Sequence, residues 1–479
     1  MIATPTYTLP AVPEIEPAPL LKFSFYCFCI FNLAFYSRFF EWQLSYLHVP
    51  LVTSSIALLG AAIEGKLLST LGTKIGMCMA ALTVLYAINI PLSSWRAGSF
   101  QTFTQDWLKS LTAFLIAGAL VTTVRHCRTA LNCIGFGSGL GAVLVNWKGH
   151  IADGRLVMGR GSFANSNEIA FDVLLGLPFL TLIVLDGKSG KLKRLLAFGL
   201  ICNSVFTLLR TGSRTGIIGF AVLCFLLFLR TSIVGKAAMA LVAMLFVVSV
   251  ITVFPNSLKE RYLSIVLGSD VKEMAQNNAE ARQLDEAVSS SAARRQLLIN
   301  AVKVSISHPV FGVGLGQFGT YMFGVERLEG RHSGWQGTHN TYLQVSSEAG
   351  TPALIVFLIM MWLSFKGLRR LYKRADLIAA PESREVANMA FALDASLVAY
   401  AVCVFFDYVA YSATLPVLAG FTIALVQAGK NSLDVLEQRK NGTPQVVQVV
   451  KLMPVNPARR WVRPSMVSHG GVRPAGPAY

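Results

Sequence analysis

Hydrophobic positions along this chain neither alternate nor mark a single helical face; they fill runs of about twenty residues separated by short polar breaks. We place these runs at residues 20–40, 45–64, 73–92, 107–124, 129–147, 167–185, 193–210, 215–230, 234–254, 351–368, 389–407 and 412–429. A run of that length, wound as a helix, crosses a hydrocarbon core of roughly 30 Å. The pattern predicts an all-α polytopic membrane protein with about twelve transmembrane helices. Five segments follow from it: an N-terminal cytoplasmic segment at 1–19, transmembrane helices one to nine at 20–254, a large extramembrane loop at 255–350, helices ten to twelve at 351–429, and a basic tail at 430–479. Inside the large loop, a polar stretch from Lys272 to Ala287 leads into an amphipathic helix from Ser290 to Ser307. Leu297, Leu298, Ala301, Val304 and Ile306 form much of its apolar face, and His308-Pro309 stops it.

Composition supports this reading: 53% of residues are hydrophobic and only 14% charged, with a mean hydropathy of +0.54, against about a quarter charged in an ordinary soluble chain. The net charge of +17 sits in the gaps between runs and in the tail, without a basic stripe on a polar domain, so nucleic-acid binding is excluded. Lys and Arg in the short connections orient the chain with both termini in the cytoplasm and the large loop outside. Against that bias, Lys148, Arg155, Arg160, Arg210 and Arg214 fall on the outer side. Something there calls for positive charge. All eight cysteines lie in apolar runs or their short flanks, which argues against a disulfide framework or a zinc site. The first run follows a Pro-rich acidic segment with no basic n-region and reads as a retained span. The tail is Pro-rich and basic with little apolar periodicity, and its composition predicts disorder; lipid binding and plain solubilisation fit it equally.

Four polar segments carry candidate chemistry. In Met158–Glu168 (MGRGSFANSNE), glycines flank Arg160, and Asn165 or Asn167 can cap the next helix. An arginine fork beside a helix N-terminus suits a phosphate; a loop arginine meeting lipid headgroups beside an Asn cap is the competing reading. In Leu209–Gly216 (LRTGSRTG), Arg210, Ser213 and Arg214 occupy a Gly-bracketed turn between two runs. That turn can present guanidinium, hydroxyl and amides to one oxyanion, or it is a hairpin whose arginines snorkel to the interface. The third segment joins Arg294 and Arg295 to His308-Pro309-Val310-Phe311-Gly312-Val313-Gly314-Leu315-Gly316-Gln317-Phe318. Its glycines do not make a nucleotide loop, because no βαβ unit surrounds them.

The fourth segment is Gly337-Thr338-His339-Asn340-Thr341-Tyr342-Leu343, followed by Glu348-Ala349-Gly350. His339 opens a helix after a Gly-rich loop, on the side already marked by the outer arginines, where an imidazole can accept a proton. Asn340 and Tyr342 accompany it; Glu348, about two and a half turns on, reads as an orienting or packing group more than a direct partner. His332 is seven residues from His339, not the three or four of a helical metal pair, and no carboxylates complete a metal site. Asp172, Asp394 and Asp407 are scattered acids with no ion pathway between them, read first as packing or interfacial groups.

The pattern His-Asn-x-Tyr-Leu-x-x-x-x-Glu-x-Gly resembles the signature of the O-antigen ligase and polymerase superfamily. The arginine before Gly-Ser-Phe-x-Asn-x-Asn, the Ser-Arg-Thr-Gly turn, and the Pro-x-x-Gly-x-Gly-x-x-Phe segment with an upstream arginine near Arg294 are similar to that superfamily's other elements. The resemblance covers roughly residues 155–352 and implies a metal-independent, inverting glycosyltransferase of the bacterial inner membrane, with its active site facing the periplasm and no cofactor. The implied donor is an undecaprenyl-diphosphate-linked glycan and the implied acceptor a hydroxyl of lipid A-core. His339, Arg214 and Arg160 take the catalytic roles; Arg210, Ser213, Asn165, Asn167, Arg294, Asn340, Tyr342 and Glu348 are the expected substrate-binding residues. O-antigen or exopolysaccharide polymerisation shares these motifs, followed by protein O-oligosaccharyl transfer; a polysaccharide or lipid transporter is the non-enzymatic alternative.

Overall fold

A computed structural model of the chain describes residues 19–42, 44–152, 154–159, 161–163, 165–231, 233, 236–237, 278–330 and 336–440. The apolar runs within these limits are helices. In order they are α1 (Pro19–Ser37), α2 (Phe39–Trp42), α3 (Val49–Ile63), α4 (Lys66–Leu71), α5 (Lys74–Leu92), α6 (Arg96–Thr102), α7 (Leu108–Leu120), α8 (Val124–Lys148), α9 (Ser166–Leu185), α10 (Lys191–Arg210) and α11 (Arg214–Arg230). Beyond the next undescribed stretch come α12 (Asn278–Ser307), α13 (Phe318–Leu328), α14 (Thr341–Ala349), α15 (Thr351–Ile378), α16 (Pro381–Cys403) and α17 (Thr414–Lys440).

Among the described residues, eight helices are long and apolar enough to cross a membrane: α1, α5, α8, α9, α10, α15, α16 and the segment Ser45–Ile63 that ends in α3. The fold is that of an all-α, multi-pass membrane protein. Of the other expected spans, α7 and α11 are helices of 13 and 17 residues, α17 is helical but continues past its apolar part to Lys440, and the run at 234–254 lies almost wholly outside the described residues. The amphipathic helix begins earlier than expected, at Asn278, and ends as expected at Ser307. One small departure from the all-α expectation is a hairpin of β1 (His150–Ala152) and β2 (Arg155–Val157), paired antiparallel with Ile151 opposite Leu156. The chain divides into two compact units, Met1–Glu437 and Gln438–Tyr479; in the second, the described residues are 438–440.

Close approach of small residues packs the bundle, as expected where lipid gives no hydrophobic drive between helices. Gly137 and Gly141 on α8 face the backbone of α1, where an added Cβ would lie 3.1 Å from the Leu33 carbonyl oxygen and 3.0 Å from that of Tyr36. Gly135, on another face of the same helix, meets α9 at Phe179 and Leu180. Thus α8 is wedged between α1 and α9.

Helix directions then sort the polar groups into two ends. One end gathers the starts of α9, α11, α15 and α17 with the finishes of α5, α8, α10 and α16, and α12 to α14 lie there. The opposite end holds most of the ion pairs: Glu385 takes both Arg128 at 3.1 Å and Lys188 at 3.0 Å, Arg369 pairs with Asp394 at 3.2 Å, and Arg374 joins α15 to Asp434 and Glu437 of α17.

Candidate active site

At the first end, three helices start with a polar cap supplied by the sequence. Asn165 caps α9 by accepting from Asn167 N, Ser213 caps α11 by accepting from Gly216 N, and Asn340 caps α14 by accepting from Leu343 N. Their neighbours knit the caps together. Asn167 Oδ1 accepts from Ser213 Oγ at 2.9 Å and from Arg155 Nη2 at 2.8 Å, while Arg155 Nε donates to the Thr211 carbonyl at 2.9 Å. Arg155 and Asn167 therefore bind the start of α9 to the tight turn between α10 and α11. Arg210 donates to Asn146 Oδ1 of α8 at 2.8 Å and lies over the Phe206 ring.

His339 sits where backbone conformation is unusual. Its φ of +48° places a non-glycine residue in the left-handed region, which is uncommon and stores of order 1–3 kcal/mol of strain. Bonds on either side hold it there: Thr338 Oγ1 donates to the Asn340 carbonyl at 3.0 Å, and Thr341 N donates to the Val404 carbonyl at 2.8 Å. The imidazole meets the Tyr408 ring edge-on, 5.2 Å between centroids, and Gly337 passes so close to the same tyrosine that a Cβ would lie 2.8 Å from its ring. The connection between α16 and α17 thus forms one wall behind the histidine. It is fastened by Thr341 Oγ1, which donates to the Asp407 carbonyl and accepts from Val409 N, and by Asn340 Nδ2 on the Phe405 carbonyl.

The electrostatics of this corner are lopsided. Arg214 and Arg294 are both partly buried, and among the described residues neither has a carboxylate within ion-pair distance. Arg214 Nε is buried without a hydrogen-bond partner, an exception to the rule that buried polar groups are satisfied. The Arg294 guanidinium acts electrostatically on Arg214, on His339 and on Asp407. Burial first, then that nearby cation, holds the His339 imidazole below its ordinary pKa of 6.5, so its neutral, proton-accepting form prevails at neutral pH. Burial drives the Asp407 carboxyl the other way, upward, against the backbone N–H of Tyr408 and the Arg294 charge. A small cavity opens beside these groups, lined by Asn167, Phe171, Thr215, Gly216, Cys403, Phe406 and Asp407. A neutral base next to two cations that have no ion-pair partner among the described residues can serve a reaction in which a hydroxyl loses a proton while an anion departs.

The sequence model of the O-antigen ligase family matches residues 197–358, from α10 into α15. Over these residues the chain is similar to the O-antigen ligase family. This bears out the superfamily resemblance read from the motifs. No curated protein matches the sequence. The ligase-family stretch contains Arg210, Ser213, Arg214, Arg294, His339, Asn340, Tyr342 and Glu348, and leaves Arg160, Asn165 and Asn167 before it.

The residues expected to form the site fall into three groups. Arg214, Arg294 and His339 share one electrostatic neighbourhood and, among the described residues, keep polar atoms without protein partners. Asn165, Asn167, Ser213, Arg210, Asn340 and Tyr342 are engaged in caps or cross-links, Tyr342 through its hydroxyl on the Ala401 carbonyl at 3.0 Å. Glu348 is 4% exposed and receives four hydrogen bonds from the protein. Arg160 lies outside the described residues. Sequence reasoning passed over Arg155 as a site residue although it stood among the outer arginines, and it passed over Asn89, Tyr408 and Tyr411, which carry no motif and are brought in by folding alone.

Proposed function

We propose that the protein is a ligase-type glycosyltransferase that moves a glycan from undecaprenyl diphosphate to a lipid A-core hydroxyl at the periplasmic face of the bacterial inner membrane. The observation that carries the reading is the juxtaposition of neutral His339 with Arg214 and Arg294, two guanidiniums with no ion-paired carboxylate among the described residues, in a stretch similar to the O-antigen ligase family. The acceptor oxygen attacks the anomeric carbon as the bond from that carbon to the diphosphate oxygen breaks; the bonding electrons leave with the diphosphate, and the hydroxyl proton passes to His339. In-line displacement inverts the anomeric centre. The arginines offset the charge gathering on the leaving group, where a partly dry site makes preorganised donors most effective, and Arg160 is assigned to the same task. We also assign twelve spans with both termini cytoplasmic, which puts this end of the bundle outside. The Lys and Arg of the short connections support that orientation.

The test is purified protein supplied with lipid-diphosphate-linked glycan, with and without lipid A-core. A single capped product that requires the acceptor is expected. A ladder formed without acceptor would make the protein a polymerase instead, and absence of any transfer would overturn the reading.

A further inference from the structure

The most heavily bonded carboxylate among the described residues lies behind the site. Glu348, near the end of α14, accepts from Phe318 N on Oε1 at 3.2 Å, and on Oε2 from Gly316 N at 3.0 Å, Gln344 Nε2 at 3.3 Å and Tyr411 OH at 2.8 Å. The carboxylate is 4% exposed and all four donors come from the protein, so it is turned to the interior and away from substrate. What they join is informative. Gly316 and Phe318 end the glycine segment that leaves α12, the helix bearing Arg294. Gln344 belongs to α14, the helix opened by His339, and its Oε1 accepts from Ala410 N. Tyr411 ends the connection that places Tyr408 against the histidine.

The glycine segment can take this path only because of its backbone. Gly312, Gly314 and Gly316 have φ of +65°, +115° and +71°, and a Cβ on Gly312 would come within 2.4 Å of the Glu348 carbonyl carbon. Main-chain bonds complete the seam: Val313 N to the Ser347 carbonyl at 2.9 Å and Gly314 N to the Glu348 carbonyl at 3.0 Å. Asn89, buried on α5, donates to the Phe311 and Glu348 carbonyls and accepts from Leu315 N. Ser305 on α12 meets Ser346 on α14 at 2.8 Å.

We propose that Glu348 is a positioning residue for the transfer reaction: its ionised carboxylate holds the segments that carry Arg294, His339 and Tyr408 in one arrangement without itself touching substrate. This rests on the glycosyl-transfer reading for its kinetic consequence, but not for its structural one. Protonation would replace an acceptor by an O–H donor among groups that are already donors, so the seam is tight when Glu348 is charged and loosens when it is neutral. Burial pushes its pKa up to about 7 against the pull of its four donors. The titratable groups facing it are Tyr411 and, from α5, Tyr86, so Glu348 is the group that changes charge in the neutral range.

The experiment is hydrogen–deuterium exchange and steady-state kinetics on the full chain in lipid nanodiscs, comparing wild type with Glu348→Gln and Glu348→Asp. Exchange should rise in Glu348→Gln at 312–318 and 404–411 while α9 and α16 stay as protected as in wild type. Its kcat should fall on the order of 10²-fold, the scale of an ångström-sized misplacement, with the donor KM changed less than about twofold. Glu348→Asp, which keeps the charge, should recover part of both. Unchanged exchange at 312–318, a rise spread through all helices, or a higher KM at unchanged kcat would each overturn the proposal. If wild type itself transfers no glycan, the functional reading falls, and the exchange comparison still decides the role of Glu348.

Discussion

At the scale of single residues, the site divides into groups with free polar atoms and groups already spent on structure, and the two should respond differently to substitution. His339→Ala should reduce transfer about 10²–10⁴-fold, the usual worth of a positioned base, with the protein still inserted and folded; product formation by purified variant checks this. Arg214→Lys should also be poor, because an ammonium lacks the planar two-point fork that matches phosphate oxygens. The pH profile carries a sign that can be worked out. His339 acts when neutral and its pKa lies below 6.5; Glu348 acts when ionised and its pKa is raised to about 7. Acidification therefore removes activity in two steps, the upper from Glu348 and the lower from His339. In Glu348→Gln the upper step should vanish, leaving one acid limb at lower pH, read from kcat/KM against pH. The histidine was legible in the sequence because it opened a helix beside a Gly-rich loop; its left-handed backbone and its contact with Tyr408 were not, since both depend on a segment some seventy residues further along the chain.

At the scale of elements, the short segments 312–318, 337–343 and 404–411 matter more than the long helices, for they bring α12, α14 and α16 to one corner. Gly312→Ala is the sharpest test. It adds a Cβ at φ +65° with a backbone atom 2.4 Å away, so it should destabilise the protein by at least about 1–2 kcal/mol from the left-handed conformation alone and abolish transfer; thermal unfolding of the purified variant measures the first. Asn89→Ala leaves the Leu315 N–H and the Phe311 carbonyl without their partner, while the Glu348 carbonyl keeps Gly314 N, at about 1–3 kcal/mol for each buried group left unsatisfied. Helix existence was readable from apolar run length, and the starts of α9, α11 and α14 from their Asn and Ser caps. The span 107–124 came out shorter, as α7, chiefly at its far end: Val121 leaves the helical conformation and Thr123 already caps the start of α8. The hairpin at His150–Val157 was missed because three-residue strands give too little alternation to register.

At the scale of the whole molecule, most ion pairs among the described residues lie at the end of the bundle away from the site. Removing Glu385, which joins Arg128 to Lys188, should therefore cost little: Glu385→Gln loses two partly exposed pairs worth about 0–1 kcal/mol each and should leave transfer unchanged in the same product assay. Sequence alone determined that the chain is a multi-pass helical membrane protein and pointed to the motifs proposed to carry its chemistry, because span length and helix caps are local properties set by hydrophobicity and by hydrogen bonding over a few residues. Only the tertiary structure decided that Arg214, Arg294 and His339 share one corner, that Glu348 is consumed within the protein, and that Asn89, Tyr408 and Tyr411 belong to the site's support. Those facts depend on helix packing and on bonds between residues far apart in the chain, Asn89 to the Glu348 carbonyl across 259 positions and Ser110 to the Tyr411 carbonyl across 301, and no local pattern encodes a contact across that distance.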